Sequence, residues 1–223
     1  MHVWVTRTEP GSSRLAGALR IGGHHVLVQP VLKIEMIKNS PPSGPFEVTV
    51  FLSEHAVEGA VNNGWVKSAA VAIGASTWRA LQNHNVDAKV PEVPTSEGII
   101  DLFYPEMPSS VLIAAGEGGR DALERWLFQY DVPTVKWSIY RRLEVVGTLD
   151  TGASIDAIVV SSSAGLKVVA NMWFASGGDA GVTVLVPSYR VATAARTCGF
   201  TRVSISRGAS EDAVVTALDG FVN

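Results

Sequence analysis

The sequence predicts an α/β fold with parallel sheets that carry helices on both faces. Short β-branched runs alternate with longer segments in which apolar residues recur at helical spacing, as is typical of such sheets. Three of the runs, AAVAI, VLIAA and AIVV, are apolar throughout, which indicates strands buried on both sides. At 223 residues the chain suits one large domain or two small ones.

The predicted elements follow one another along the chain. HVWVTR predicts the first strand, a helix with Leu15 and Leu19 on one face comes next, and Gly22-Gly23 ends it before HHVLVQP. The first half continues with FEVTVFLS, the helix EHAVEGAVNNGW, AAVAIG, the helix ASTWRALQNH, VDAKV and a short helix from Ser96 to Phe103. The second half reads SVLIAAG, GRDALERWLFQY, VPTVKWSIYRRLE, DAIVVS, SSAGLKVVANMWF, VTVLVP, SYRVATAARTCG, TRVSIS and a last helix from Ser210 to Phe221.

The two halves of the chain repeat one pattern. Val3-Trp4-Val5 corresponds to Val111-Leu112-Ile113, which lies 108 residues later. VTVFLSEHA corresponds to DAIVVSSSA at the same offset, IGASTWRA to LVPSYRVA at 112, and PTSEG to GASED at 114. Four matched pairs in the same order predict an internal duplication, and each half then carries about five strands, the count of a flavodoxin-like sheet.

A basic, an apolar and an acidic residue end the second strand of each half. These triplets are Lys33-Ile34-Glu35 and Arg142-Leu143-Glu144, 109 residues apart. As crossovers, they would carry the chain out of one domain at residues 32–38 and back at 140–146, and they could pair as a two-stranded ladder. The alternative is that each is a long loop.

The composition argues against several classes of function. A net charge of −3 lacks the basic excess of a nucleic-acid-binding surface. The single cysteine, Cys198, excludes an internal disulfide and a cysteine-only metal site, which fits a reducing compartment. MHVWVTRTEP becomes charged too early for a signal peptide, and no window approaches the ~20 apolar residues of a membrane helix. We therefore expect a cytoplasmic protein without nucleic-acid or membrane partners.

The ordered series of motifs resembles the uroporphyrinogen-III synthase family. The matching stretches run from residue 2 to about 218 and are VTRTEP, PVLKIE, FLSEHAV, AIGASTWRAL, VPTSEG, AAGEGGRDAL, YRR, VVSSSAG and GASED. The resemblance implies two flavodoxin-like domains joined by a two-stranded β-ladder hinge, with the chain crossing twice. Residues 1–36 and 145–223 would form the first domain, and residues 37–144 the second, including the hinge strands.

The resemblance also implies a reaction. Family members cyclise the linear tetrapyrrole hydroxymethylbilane to uroporphyrinogen III, with inversion of ring D and loss of water, and need no metal or organic cofactor. We accordingly expect a monomeric lyase of porphyrin and haem biosynthesis that receives its substrate by transient hand-over from hydroxymethylbilane synthase. The alternatives are a degenerate synthase-like domain that binds a tetrapyrrole without catalysis, and a two-domain module that closes on another small anion.

Local anion sites must bind this substrate, because it carries eight carboxylates and the chain itself is acidic. Helix N-termini that follow parallel strands present free N–H groups at the carboxyl edge of the sheet. The candidate binding residues in these turns are Thr6, Arg7, Ser53, Gly74, Ser76, Thr77, Gly118, Gly119, Arg120, Ser161, Ser162, Ser163, Ser188 and Tyr189. The alternative for the serines and threonines is that they only cap helices.

Tyr140 matches the tyrosine that the family places toward its cleft, so its phenol is the candidate proton donor to the departing hydroxyl. The alternative is a tyrosine that only packs on the ladder. Arg141 and Arg142 follow it, and we expect them on a solvated face, with contact to a substrate propionate as the alternative.

One turn of the chain departs from the family pattern. The family's Gly-Pro-Ser/Thr-Thr turn reads Val186-Pro187-Ser188-Tyr189 here, which weakens the case for contacts at Ser188 and Tyr189 and allows an inactive member.

His24 and His25 are neighbours at a strand start, so their side chains point to opposite faces and predict no metal site.

Overall fold

The computed structural model describes residues 1–119, 121–149 and 154–221. Within these ranges the chain forms β1 (His2–Val5), α1 (Gly11–Ile21), β2 (His25–Val28), β3 (Leu32–Met36), β4 (Val48–Phe51), α2 (Glu54–Asn62), β5 (Ala69–Ala72), α3 (Ala75–Asn83), α4 (Ser96–Phe103), β6 (Val111–Gly116), α5 (Ala122–Gln129), β7 (Thr134–Glu144), β8 (Ala157–Val159), α6 (Ser163–Ala175), β9 (Thr183–Val186), α7 (Tyr189–Thr197), β10 (Arg202–Ile205) and α8 (Glu211–Asp219). None of the described helices is long and apolar enough to cross a membrane.

The strands form two five-stranded sheets. The first has the order β2-β1-β8-β9-β10, with all neighbours parallel, so its own strands stand in the order 2-1-3-4-5. The second has the order β3-β7-β6-β4-β5, in which β7, β6, β4 and β5 are parallel. The mixed α/β fold with parallel sheets, predicted from the alternating runs, is confirmed.

The edge strand β3 lies beside β7 and runs antiparallel to it. The N–H of Ile37 donates to the carbonyl of Ile139 at 2.9 Å, and the N–H of Val145 donates to the carbonyl of Val31 at 2.9 Å. Residue numbers therefore fall along one strand as they rise along the other, as antiparallel pairing requires.

The chain divides into two units. One comprises Met1–Lys33 and Leu143–Asn223 and holds the first sheet, so it is built from two separated stretches of sequence. The other is the continuous segment Ile34–Arg142.

Each sheet is buried on both faces. In the first, Trp4, Ile158 and Val184 pack with α6 and α7 on one face. Val3 and Leu185 pack with α1 and α8 on the other. Alternate residues of one strand point to opposite faces, so a strand covered on both sides is apolar at nearly every position.

The second sheet is layered in the same way. Phe51, Leu112 and Ala114 pack with α2 and α3 on one face. Val50 and Ile113 pack with α4 and α5 on the other. This double burial accounts for the uninterrupted apolar runs AAVAI and VLIAA.

The strands related by the 108-residue offset occupy equivalent places. β1 lies between β2 and β8, and β6 lies between β7 and β4. Val3 pairs with Ala157, and its counterpart Val111 pairs with Val48. Val48 therefore corresponds to Ala157, 109 residues on, and the expected match of VTVFLSEHA to DAIVVSSSA was off by one. Three consecutive serines after β8 left the alignment of letters ambiguous at this point.

Proline accounts for two departures from the expected strands. β7 is one strand of 11 residues, whereas the matching stretch of the first half is divided into β2 and β3 around Pro30, which has no N–H for a ladder. VDAKV forms only an isolated parallel bridge between Val71 and Lys89, and Pro91 follows soon after. The last expected strand of the first half is thus reduced to one residue pair.

Candidate functional site

The carboxyl edge of the second sheet holds the predicted residues Ser53, Gly74 and Tyr140, and Gly116 lies beside them. Ser53 follows β4, Gly74 follows β5, Gly116 ends β6, and Tyr140 is the cross-strand partner of Gly116 in β7. Because these strands are parallel, their carboxyl ends lie on one side of the sheet. This is the edge where ligands bind in open α/β sheets.

The ring of Tyr140 packs in the core of the second unit, and its phenol oxygen forms hydrogen bonds. Its side chain belongs to the hydrophobic core of the second unit and is 1% exposed. Its phenol oxygen accepts hydrogen bonds from the Ser53 hydroxyl at 3.0 Å and from Nη2 of Arg142 at 2.8 Å. Among the described residues, no acceptor takes the phenol's own hydrogen.

Gly116 is required by the position of the Tyr140 ring. A Cβ at residue 116 would lie 2.5 Å from Cε2 and Cζ of Tyr140 and 3.0 Å from its oxygen. The register between β6 and β7 shifts at Ala115/Gly116, which brings the ring over the glycine. Gly116 was not among the candidate site residues predicted from the sequence.

Ser53 is both a helix cap and a partner of Tyr140. Its Oγ accepts a hydrogen bond from the N–H of Ala56 at 3.1 Å, which satisfies one of the free donors at the start of α2. The predicted capping role is confirmed, and the same side chain also bonds to Tyr140.

The turn after β5 leaves the start of α3 open. Gly74 is its N-cap residue and has no side chain to cap the first turn. A Cβ there would lie 3.1 Å from Cβ of Pro94. Ser76 is half-buried in the first turn, and Thr77 is 1% exposed, so backbone N–H groups are the donors that this turn offers an anion.

The loop after β6 is open to solvent. Gly118 and Gly119 are exposed, and Gly118 has a φ of 68°, a left-handed conformation that favours glycine. Arg120, the third candidate of this loop, lies outside the described residues.

In the first sheet, Thr6 and Arg7 follow β1, and both side chains already have partners within the first unit. The Thr6 hydroxyl donates to the carbonyl of Val159 at 2.8 Å and so links β1 to β8. Nη1 of Arg7 donates to the carbonyl of Ala209 at 3.2 Å and lies 3.8 Å from a carboxylate oxygen of Glu211. An anion that binds Arg7 would compete with Glu211.

The serines that follow β8 have different hydrogen-bond partners. Ser161, Ser162 and Ser163 are all half-buried. Ser162 caps α6 by accepting from the N–H of Gly165 at 3.2 Å, and the Ser163 hydroxyl accepts from Nη1 of Arg190 at 2.9 Å. Ser162, and not Ser161, is thus the counterpart of Ser53.

The divergent turn after β9 has a different geometry from its neighbours. Ser188 is the N-cap residue of α7, yet its side chain makes no capping hydrogen bond. Tyr189 begins the helix and is 82% exposed, while Val186 is fully buried at the end of β9. The start of α7 resembles that of α3, because neither N-cap residue occupies the N–H groups of the first turn with a side chain.

Arg142 is exposed, as expected, and it also contacts Tyr140. Its guanidinium carbon lies 5.2 Å from the centre of the Tyr140 ring, a contact that was not predicted from the sequence. Residues two apart on a strand share a face, and this periodicity could have identified it. Arg141 alternates to the other face and pairs with Glu35 of β3, which raises the pKa of the Arg141 guanidinium.

Comparison with known proteins identifies the family. The model of the uroporphyrinogen-III synthase HemD family (HEM4) matches residues 13–216. The chain belongs to the uroporphyrinogen-III synthase family. This family consists of cyclising lyases, so the synthase function in tetrapyrrole biosynthesis that the motif series predicted is confirmed.

Two solved structures share the fold. The synthase of Helicobacter pylori has a TM-score of 0.67 and 16% identity, over 100% of this chain and 99% of its own. A mutant synthase of the extremely thermophilic bacterium Thermus thermophilus has a TM-score of 0.61 and 16% identity, over 100% of this chain and 97% of its own. At this identity the likeness concerns the mixed α/β fold alone.

Proposed function

We propose that the chain is a catalytically active synthase that cyclises hydroxymethylbilane to uroporphyrinogen III with Tyr140 as its general acid. The observation that carries this proposal is the hydrogen bonding of the phenol. Its oxygen accepts from Ser53 and Arg142, so its hydrogen is left for a substrate atom.

A single phenol can both donate and regain the proton that this reaction transfers. Tyr140 gives its proton to the departing hydroxyl, the carbon–oxygen bond breaks, and water and an azafulvene cation result. Ring D then attacks this cation at its substituted carbon and forms the spirocyclic intermediate. The bond from this carbon to its original methylene bridge then breaks, and that methylene rejoins ring D at the free α-carbon. The proton lost from the α-carbon returns the phenolate to the phenol, so acid and base are the same group. Ser53 keeps the oxygen oriented throughout.

The carboxylates of the substrate are bound by backbone N–H groups at open helix starts. The first turns of α3, at Gly74, Ser76 and Thr77, and of α7, at Ser188 and Tyr189, support this role because neither N-cap side chain occupies them. The exposed Gly118 and Gly119 let a ligand approach the backbone after β6 closely. Local donors of this kind offset the net charge of −3.

The finer architecture is part of the proposal. It comprises two flavodoxin-like domains, residues 1–36 with 145–223 and residues 37–144, joined by a two-stranded hinge ladder. The strand order 2-1-3-4-5 and the antiparallel pairing of β3 with β7 support it. A monomer in the cytoplasm that takes its substrate from hydroxymethylbilane synthase, without a cofactor, completes the proposal.

A synthase-like domain that binds a tetrapyrrole without catalysis is the second candidate. It is favoured by the turn after β9, where the buried Val186 and the exposed Tyr189 replace the residues usual in the family.

The isomer of the product separates the two candidates. The purified chain is coupled to hydroxymethylbilane synthase, and the porphyrinogens are oxidised and resolved. An active synthase yields the type III isomer. The type I isomer alone, as formed by spontaneous closure, would support the binding domain and reject the enzyme.

A further inference from the structure

The phenol of Tyr140 is enclosed by four neighbours. Ser53 and Arg142 bond to its oxygen, the ring of His55 lies 5.6 Å from its ring in a T-shaped arrangement, and Gly116 packs against its edge. The result is a side chain with 1% exposure. A general acid this deeply covered cannot touch a substrate until one neighbour moves.

Arg142 is the most exposed of these four neighbours. Ser53 and His55 are fixed at the start of α2, and Gly116 is part of β6. Arg142 is exposed, and its guanidinium lies at the end of a long, flexible side chain. The guanidinium covers both the oxygen and the ring face of Tyr140. Among the described residues, the Tyr140 oxygen is the one hydrogen-bond acceptor of this guanidinium.

A carboxylate is a stronger partner for Arg142 than the phenol is. The present contact joins a cation to a neutral oxygen through one N–H group. A carboxylate offers two charged oxygens to the planar fork of the guanidinium, and such bidentate, charge-assisted pairs are the stronger hydrogen bonds. A polycarboxylate that binds nearby is therefore expected to replace Tyr140 as the hydrogen-bond partner of Arg142.

We propose that Arg142 is a cover for the Tyr140 phenol and that a substrate carboxylate draws it away. This inference rests on the proposed function, because it takes Tyr140 as the acid and a polycarboxylate as the substrate. Arg142 is then a positioning and specificity residue. It exposes the acid only when the correct charge is bound, and it keeps water from the phenol at other times.

Fluorine NMR tests the cover without turnover. The chain has four tyrosines, and Tyr104, Tyr130 and Tyr189 are exposed, so 3-fluorotyrosine labelling gives one resonance protected from a soluble paramagnetic agent. We expect benzene hexacarboxylate to increase the broadening of the Tyr140 resonance severalfold, and chloride at the same ionic strength to leave it unchanged. A Tyr140 resonance that stays protected in benzene hexacarboxylate would overturn the proposal.

Arg141 provides the matched control. Arg142→Gln should expose Tyr140 without the probe and abolish the response, and Arg142→Lys should restore part of it. Arg141→Gln removes the same charge one residue away, on the face that pairs with Glu35, and should respond as the unmodified chain does. Equal protection of Tyr140 in Arg142→Gln and in the unmodified chain would also reject the cover.

Kinetics separate this inference from the function on which it rests. Arg142→Gln should raise KM about tenfold, the loss expected for one charge-assisted hydrogen bond, with a smaller change in kcat. Arg141→Gln should change neither. If the chain forms the type III product but benzene hexacarboxylate does not change the Tyr140 resonance, the cover is rejected and the proposed function stands. A responsive resonance without type III product rejects the proposed function and keeps the cover.

Discussion

Gly116 and Tyr140 face each other across β6 and β7 so closely that residue 116 has no room for a methyl group. Its Cβ would approach two ring carbons to 2.5 Å, well inside van der Waals contact. The position of the phenol thus depends on the absence of a side chain on the neighbouring strand.

Gly116→Ala should displace the Tyr140 ring and reduce both stability and activity. Overpacking of this kind lowers the free energy of unfolding by about 1–3 kcal/mol. Urea unfolding and the isomer assay measure the two effects. Gly17→Ala is the control, since a Cβ at this helical position of α1 meets nothing within 4 Å and should stabilise the chain by about 0.5–1 kcal/mol. Unchanged activity in Gly116→Ala would contradict the importance of the ring position.

Tyr140→Phe should reduce turnover strongly while the fold persists. Loss of a general acid lowers the rate by about 10²–10⁴-fold. The stability cost is about 1 kcal/mol, because the ring stays in the core and Arg142 is free to turn to water. Single-turnover kinetics and thermal melting provide the comparison, and Tyr104→Phe, at an exposed tyrosine, is the control. A variant that turns over at the normal rate would remove Tyr140 as the acid.

Ser53→Ala should cost more than the loss of a helix cap. The cap alone contributes about 1 kcal/mol, and Ser210→Ala should lose the same amount because Ser210 caps α8 through the N–H of Ala213 at 3.3 Å. Only Ser53→Ala should also lower kcat, since it removes a partner of the phenol. Equal activity in the two variants would restrict Ser53 to capping.

The pair of Glu47 and Ser109 should make stability depend on pH. Hydrogen bonds from the Ser109 hydroxyl at 2.6 Å and its N–H at 2.7 Å lower the pKa of the Glu47 carboxyl. A lowered pKa means that the contribution is present above the unfolded pKa of about 4.3 and is lost as the pH falls through the folded pKa. Ser109→Ala should therefore lower the urea midpoint at neutral pH, and the difference should shrink as the pH falls through the lowered pKa of Glu47. A difference independent of pH would contradict this pairing, and Ser43→Ala in the preceding loop is the control.

The fold was predictable where burial dictates the residues. Strands covered on both faces are apolar at nearly every position, which made β5, β6 and β8 recognisable, and the short helix α4 has the expected bounds Ser96–Phe103. The reduced strand at Lys89 was not predictable, because pairing at a sheet edge depends on neighbours that a local pattern does not contain.

The helix starts that carry the candidate residues were predictable from the sequence, but the contacts of these residues were only partly so. A serine after a strand indicates a helix start, yet three consecutive serines could not reveal that Ser162 is the cap. Arg141 and Arg142 look alike in sequence, and only the alternation of β7 sends one to Glu35 and the other to Tyr140.

The division of the first sheet between two stretches of sequence sets an order on synthesis. Its strands β1 and β2 leave the ribosome first, whereas β8 to β10 follow after the whole continuous segment Ile34–Arg142. At typical elongation rates that delay is on the order of ten seconds. Until then β1 has only β2 beside it, and a two-stranded ribbon is marginal in water. Nascent chains halted before residue 157 should consequently depend on chaperones to shield Val3, Trp4 and Val5, even when the inserted segment has already folded.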